Sequence, residues 1–201
     1  MIPVPDMSQS EESTVDATAR TLGAALVTTG LYMLVSSTNC WIRQGQAKLV
    51  TCATQANMAD TDTLVITTAS STKTYEFDKA GNGVTAGNVQ VNISTDTTAA
   101  TVAARLRTAI LANQPELRVI DPADGTLKID VINSRVLTIT ENVAHASFTV
   151  GVGVVQASAA AGSMLVPALM PIYIDGTNGG QVGIIRNTAD GVASITPILR
   201  Y

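Results

Sequence analysis

One stretch of this 201-residue chain, DTTAATVAARLRTAILANQP (96–115), carries a helical period among segments that alternate. Val102, Leu106, Ala109 and Ile110 recur at i, i+4, i+7 and i+8, which gives one apolar helix face. Asp96 or Thr97 offers an N-cap oxygen to the unpaired first N–H groups. Asn113 and Pro115 end the helix, because proline lacks the N–H and disfavours helix at the residue before it. An amphipathic helix must lay its stripe on something, and strand-like segments flank it on both sides. TLVITTA (63–69) and KTYEFD (73–78) alternate as a hairpin, and KAGNGVTAGN (79–88) is a Gly/Asn turn leading into NVQVNIS (88–94). LRVID (117–121), TLKIDVI (126–132), VLTITE (136–141) and SFTVGVG (147–153) follow. The expectation is a β-β-β-α-β-β-β unit of the α+β class over residues 61–153.

Outside that unit the strands come in two separated halves. Leu22–Ile42 reads as two strands joined by a turn at Ser36–Asn39, with Val27, Leu31, Met33 and Val35 as one buried face. A polar, Ala-rich stretch follows, and strand chemistry resumes only in MLVPALMPIYIDG (164–176), GQVGIIRN (180–187) and GVASITPILRY (191–201). The two halves are expected to close one antiparallel β-sandwich or barrel, a discontinuous host domain of residues 21–48 plus 160–201. The α+β domain is then inserted in one of its loops, through linkers at 49–60 and 154–159. Such insertions cost a host little when their ends lie close together. Residues 1–20 show no period and read as an N-terminal arm, disordered or laid along a neighbour. Abundant Thr, Ser, Val and Gly agree with a mainly β protein.

Charged residues make up 14% and aromatics 3%, which points to a surface covered by copies of the chain or by a neighbour. A net charge of −4 with scattered basic residues argues against nucleic acid and anionic membranes as partners. No apolar run approaches the length of a membrane span. The N-terminus has neither a basic start nor an apolar core, so synthesis in the cytoplasm without a secretory signal is expected. Cys40 and Cys52 are too few for a disulfide scaffold or a thiolate zinc site. Three states are open to them: buried free thiols, an intrachain disulfide, or an intersubunit disulfide.

Joined, the halves give a recognisable series: Cys40–Gly45 (CWIRQG), Gly162–Ala168 (GSMLVPA), Val182–Arg186 (VGIIR), Asp190–Gly191 and Ser194–Ile198. This series resembles a small β-domain of the virion structural proteins of tailed bacteriophages. The central TYEFDKAGNGVTAGNVQVNISTDTTAATVAARLRTAI is separately similar to a module that recurs in phage structural proteins and in large bacterial surface proteins. The resemblance implies a structural component of a virion: a capsid decoration protein, or a neck, tail or head-fibre attachment component. Its implied partners are the major capsid protein or neck and tail proteins, and copies of itself.

Chemistry was sought in the residues as well. His145 is the only histidine, so a histidine metal site fails by number, and no nucleophile elbow accompanies it. DTDT (60–63), DKAGNG (78–83) and DGTNGG (175–180) lack the full spacing of a calcium loop and read as turns. The Gly81, Gly83 and Gly87 cluster opens a strand rather than a helix, so it makes no phosphate cradle. Glu11 with Glu12, or Glu76 with Asp78, would be the carboxylate pairs of a glycosidase, but no sugar-stacking cleft goes with them. The expectation is a protein without catalytic, cofactor or metal sites. For assembly contacts the candidates are Ile2 and Val4 of the arm, Trp41 as an apolar anchor, and the C-terminal strand through Tyr201. The rival reading is a carbohydrate- or cell-surface-binding module, which would need Tyr75, Phe77 or Phe148 exposed on the inserted domain.

Overall fold

The helix foreseen from the apolar period forms as α1, Ala99–Asn113, and buries Val102, Ala103, Leu106 and Ile110. Its N-cap is Thr98 rather than Asp96 or Thr97: the Thr98 side chain accepts the Thr101 N–H, and Thr101 returns the bond to the Thr98 backbone. Asp96 instead accepts the Arg105 Nε at 3.3 Å. In the computed structural model, residues 4–5, 10–18, 20–22, 30–132, 136–155, 157, 163–175 and 181–199 are described. The fold is mainly β, and the chain divides into two compact units. One takes the residues up to Gln46 and those from Val154 onward, with a short piece at Ile132–Arg135; the other comprises Ala47–Val131 and Val136–Gly153.

In the second unit, β6 (Thr63–Thr68), β7 (Thr72–Asp78), β8 (Val89–Asn92) and β11 (Leu137–Asn142) form a four-stranded sheet ordered β11-β6-β7-β8. Strands β9 (Leu117–Ile120) and β10 (Thr126–Ile132) form an antiparallel pair. Strand β12 (Thr149–Val152) pairs with Lys48–Thr51. The helix stripe packs into a core that includes Leu64, Ile66, Tyr75, Phe77, Val91, Leu127 and Ile129. Phe148 meets Phe77 edge to face, with ring centroids 5.7 Å apart. At the C-terminal end of the helix, the buried Gln114 accepts the Tyr75 hydroxyl at 3.0 Å and donates to the Ser71 hydroxyl at 2.8 Å. A buried amide left without partners would be costly, so this network sets where the helix ends.

The β6–β7 hairpin is as expected, but β8 runs parallel to β7, with Tyr75 opposite Val89. Parallel neighbours ordinarily need a crossover of about a dozen residues or more. Here residues 79–88 make the return, and two buried carboxylates hold them. Asp78 accepts the backbone N–H groups of Gly81, Asn82 and Gly83 and the Gln90 amide. Glu76 accepts the Thr85 N–H and the Asn88 amide. Gly81, Gly83 and Gly87 all have positive φ, which L side chains adopt with strain, so the glycines permit the path that the carboxylates secure.

The first unit is a two-sheet β-sandwich. One sheet has β4 (Leu31–Ser36) and β16 (Gly191–Leu199) at its centre, with β14 (Ile172–Asp175) beside β4. Strands β1 (Val4–Pro5) and β2 (Glu11–Val15) both pair along the far side of β16. The other sheet is built on β5 (Cys40–Thr51), whose first half lies between β15 (Gln181–Arg186) and β13 (Met164–Val166). Strand β3 (Arg20–Leu22) pairs with β15. Leu34, Cys40, Ile42, Val166, Val182, Ile184 and Ile195 belong to the core between the sheets. A Cβ on Gly183 would collide with the Val155 carbonyl, so only glycine lets that segment lie against β15.

Three expectations need correction. The described part of the arm is not a free tail, because β1 and β2 take up ladder bonds that β16 would otherwise expose. The face assigned to the first strand is inverted: Tyr32, Leu34 and Ser36 are buried, while Leu31, Met33 and Val35 are half-buried on the other side. A one-residue shift of phase moves every side chain to the opposite face, and an apolar run offers no polar marker of phase. Val27 lies outside the described residues. Finally, β5 continues to Thr51, past position 49 where a linker was expected to begin, because β12 pairs with its last four residues.

Two measurements check this account. Leu106→Ala should lower unfolding stability by roughly 2–5 kcal/mol through the cavity left under α1, read as a shifted denaturation midpoint. The Asn88 hydrogen bond leads in holding Glu76 below its ordinary 4.5, and the Ser71 hydroxyl does the same for Glu116. Burial pushes the Asp78 carboxyl up, but its amide and backbone donors outweigh this and hold it below 3.8. The unfolded chain therefore takes up protons first on acidification, so this stabilisation is complete above the ordinary values and lost as pH falls through the lower folded ones. The denaturation midpoint should stay level down to about pH 5 and fall below about pH 4, less steeply in Glu76→Gln.

Candidate functional site

Trp41, Ala168 and Gly191 of the series meet at one end of the sandwich, around the turn Ser36–Asn39. The Ser36 carbonyl accepts the Leu169 N–H at 2.7 Å, and the Asn39 side chain accepts the Ala168 N–H at 2.8 Å. The Ser37 N–H donates to the Val192 carbonyl, and the Ser37 hydroxyl accepts the Val192 N–H. Thr38 donates its hydroxyl to the Ala189 carbonyl, and the Asn39 carbonyl accepts the Asn187 N–H. Gly191 is required here, because a Cβ would stand 2.6 Å from the Ser37 hydroxyl. Trp41 belongs to the same knot: it is half-buried, and its indole N–H donates to the Asn187 side chain at 3.1 Å. It therefore acts as a brace between β5 and the turn after β15.

This knot fixes the chain on both sides of the segment that follows β13. From Met164 to Tyr173 the chain passes from the edge of one sheet to the edge of the other through a turn containing Pro167 and Pro171. Along it, Met164, Leu165, Leu169, Met170 and Tyr173 are 51%, 42%, 75%, 54% and 60% exposed. Between the edges lies a groove of about 310 Å³ whose walls include Ile42, Gln44, Met164, Tyr173 and Ile174. Among the described residues, β14 pairs only with β4. A flank with apolar side chains and unpaired strand edges has the chemistry of a protein interface.

Of the residues singled out for assembly, Ile2 and Tyr201 lie outside the described residues, and Val4 lies in β1 opposite Leu199. The exposed flank was missed because MLVPALMPIY reads as ordinary buried strand. Two prolines in ten residues were the signal that it could not all be ladder.

The carboxylates Glu76 and Asp78 are occupied with the 79–88 loop, so as a pair they hold backbone. Asp60 and Asp62 likewise accept the Ala80 and Ala59 N–H groups, the behaviour of turns. Of the third candidate calcium loop, 176–180 lie outside the described residues. His145 and Ser147 make a local contact of 2.7 Å two residues apart. No group of three or more His, Cys, Asp or Glu able to hold a metal occurs among the described residues.

Both cysteines are buried free thiols. Cys40 opens β5 and Cys52 follows its last residue. Neither of the two disulfides considered as alternatives is present in this structure. Burial raises both thiols, Cys52 to about 12. Neither should react with an aromatic disulfide reagent at pH 8 in the native protein, and both should react after denaturation.

No family model matches this sequence, and no curated protein matches it. Among solved structures, the D1-D2-D3 domains of the flagellar cap protein FliD from Escherichia coli align with 94% of this chain at 15% identity and a TM-score of 0.30. This chain covers 59% of the length of that one. The D2-D3 domains of the same protein align with 93% of this chain, covering 98% of that one, at 13% identity and a TM-score of 0.33. Likeness of this degree does not define a shared fold.

Proposed function

We propose that this chain is a non-enzymatic structural component of a tailed-phage particle, a capsid decoration protein that attaches through its sandwich unit. One observation carries the reading: the apolar flank from Met164 to Tyr173 coincides with the GSMLVPA segment of the virion-type signature and continues beyond it. Three residues of that signature, Trp41, Ala168 and Gly191, take part in the turn knot beside this flank. A chain with 14% charged residues keeps little polar surface in reserve, and contact with many neighbours on a symmetric shell would cover such a flank.

The adhesion reading loses its main support. Tyr75, Phe77 and Phe148 are the only aromatics of the second unit, and all three are buried, so none offers a sugar-stacking face.

Quantitative mass spectrometry of purified particles, with the major capsid protein as standard, tests the proposal. Hundreds of copies are expected for a decoration protein. A count of roughly six to a few dozen would move it to the neck, the tail or a vertex. Absence from intact particles would overturn the structural reading.

A further inference from the structure

We propose that the edge of β14 that is open among the described residues pairs with β14 of a second copy of this chain, antiparallel, about a two-fold axis through Tyr173. This rests on reading the 164–173 flank as an assembly surface, and it names the occupant. Two independent features show which backbone groups face the open edge. Tyr32 lies opposite Pro197 on one side and Ile174 on the other. Proline has no N–H to give, so Tyr32 and Pro197 form the non-bonded kind of antiparallel pair, and Tyr32 directs its own N–H and C=O to Ile174. Backbone direction alternates along a strand, so Ile174 faces β4 and its neighbour Tyr173 faces outward. Separately, the Asp175 carbonyl accepts the Gln44 side-chain amide at 2.6 Å, so Asp175 points away from β4, and Tyr173, two residues before it, has the same direction. Both routes put the Tyr173 N–H and C=O on the open edge.

The register follows from faces. Residues opposite each other across two strands point to the same side of the sheet. Tyr173 is exposed on the outer face and Ile174 is buried toward the core. Tyr173 can therefore face Pro171, Tyr173 or Asp175 of the second copy, but not Ile172 or Ile174, and Pro171 has no N–H to give it. Facing Asp175 would need a carbonyl that Gln44 already satisfies. Facing Tyr173 exchanges two N–H···O=C bonds at the axis and sets Ile172 against Ile174 of the second copy, which continues the apolar inner face. It also sets Asp175 against Pro171, which has no N–H to offer the satisfied carbonyl. The edge is thus complementary to itself.

The area is of the right order as well. For side chains of roughly 200 Å² each, the exposed fractions of Met164, Leu165, Leu169, Met170 and Tyr173 amount to about 550 Å². With the whole flank covered, two copies bury at most about 1,100 Å², close to the roughly 1,000 Å² that separates specific interfaces from casual contacts.

The test is sedimentation of the full chain at micromolar concentration, together with Tyr173→Cys under mild oxidation. A hydrogen-bonded antiparallel pair holds its Cα atoms about 5.5 Å apart, within disulfide range. The wild type should sediment as a dimer, Tyr173→Cys should become a covalent dimer, and Val192→Cys, exposed on the central strand β16, should not. Leu169→Asp with Met170→Asp, in the turn outside the strands, should give a folded monomer with an unchanged circular dichroism spectrum. A monomeric wild type, a dimer unaffected by the double substitution, or cross-linking at 192 as readily as at 173 would overturn the inference. Particle binding by a monomeric protein would leave the proposed function standing while removing this partner. A dimer that is absent from particles would do the reverse.

Discussion

A backbone N–H or C=O at a chain reversal must find a partner, and in this protein side chains and neighbouring turns supply it. The Ser36–Asn39 turn shows the principle most fully, because it exchanges hydrogen bonds with the turn after β13 and the turn after β15. Remove these and both sheet edges at that end lose their position. In the second unit Glu76 and Asp78 do the same work for a return loop that brings β8 back parallel to β7. Low charge makes such sites more important: among the described residues there are few ion pairs, and that from Arg105 to Asp96 joins a mostly exposed side chain to a buried one.

The same constraint accounts for how the edges of the sandwich are managed. Strands β1 and β2 cover one side of β16, and Pro197 falls between their two pairings, where a missing N–H deprives no partner. At the other edge β14 has no such cover among the described residues, and the segment leading into it carries Met and Leu where a solitary protein would place lysine or glutamate. That asymmetry, an edge protected on one side and apolar on the other, is what the proposed pairing rests on.

The features that misled are informative about the physics. A run such as LYMLVS is apolar on both faces, so its phase depends on what packs against it and on its strand partners, which come from residues more than 130 positions away. The Gly/Asn stretch 79–88 has the composition of a hairpin turn, yet the strand after it runs parallel. What reverses the direction twice is the pair of carboxylates at the end of β7, which composition alone reads as charge on a strand. Trp41 reads as a core or interface anchor, and its bond to Asn187, far along the chain, is a contact that no local pattern announces.

By itself the sequence determined what depends on short-range pattern: one helix with its apolar stripe, alternating strands on either side, a mainly β architecture and the two-part signature around Cys40 and Gly162. These follow from periods of 3.6 and 2 and from the conformational limits of Gly and Pro, which act within a few residues. The tertiary structure alone decided strand direction, the buried face of β4, the fate of the described N-terminal residues and the exposure of Met164–Tyr173. Each of these depends on which distant backbone groups come within hydrogen-bonding distance, and no local pattern records that.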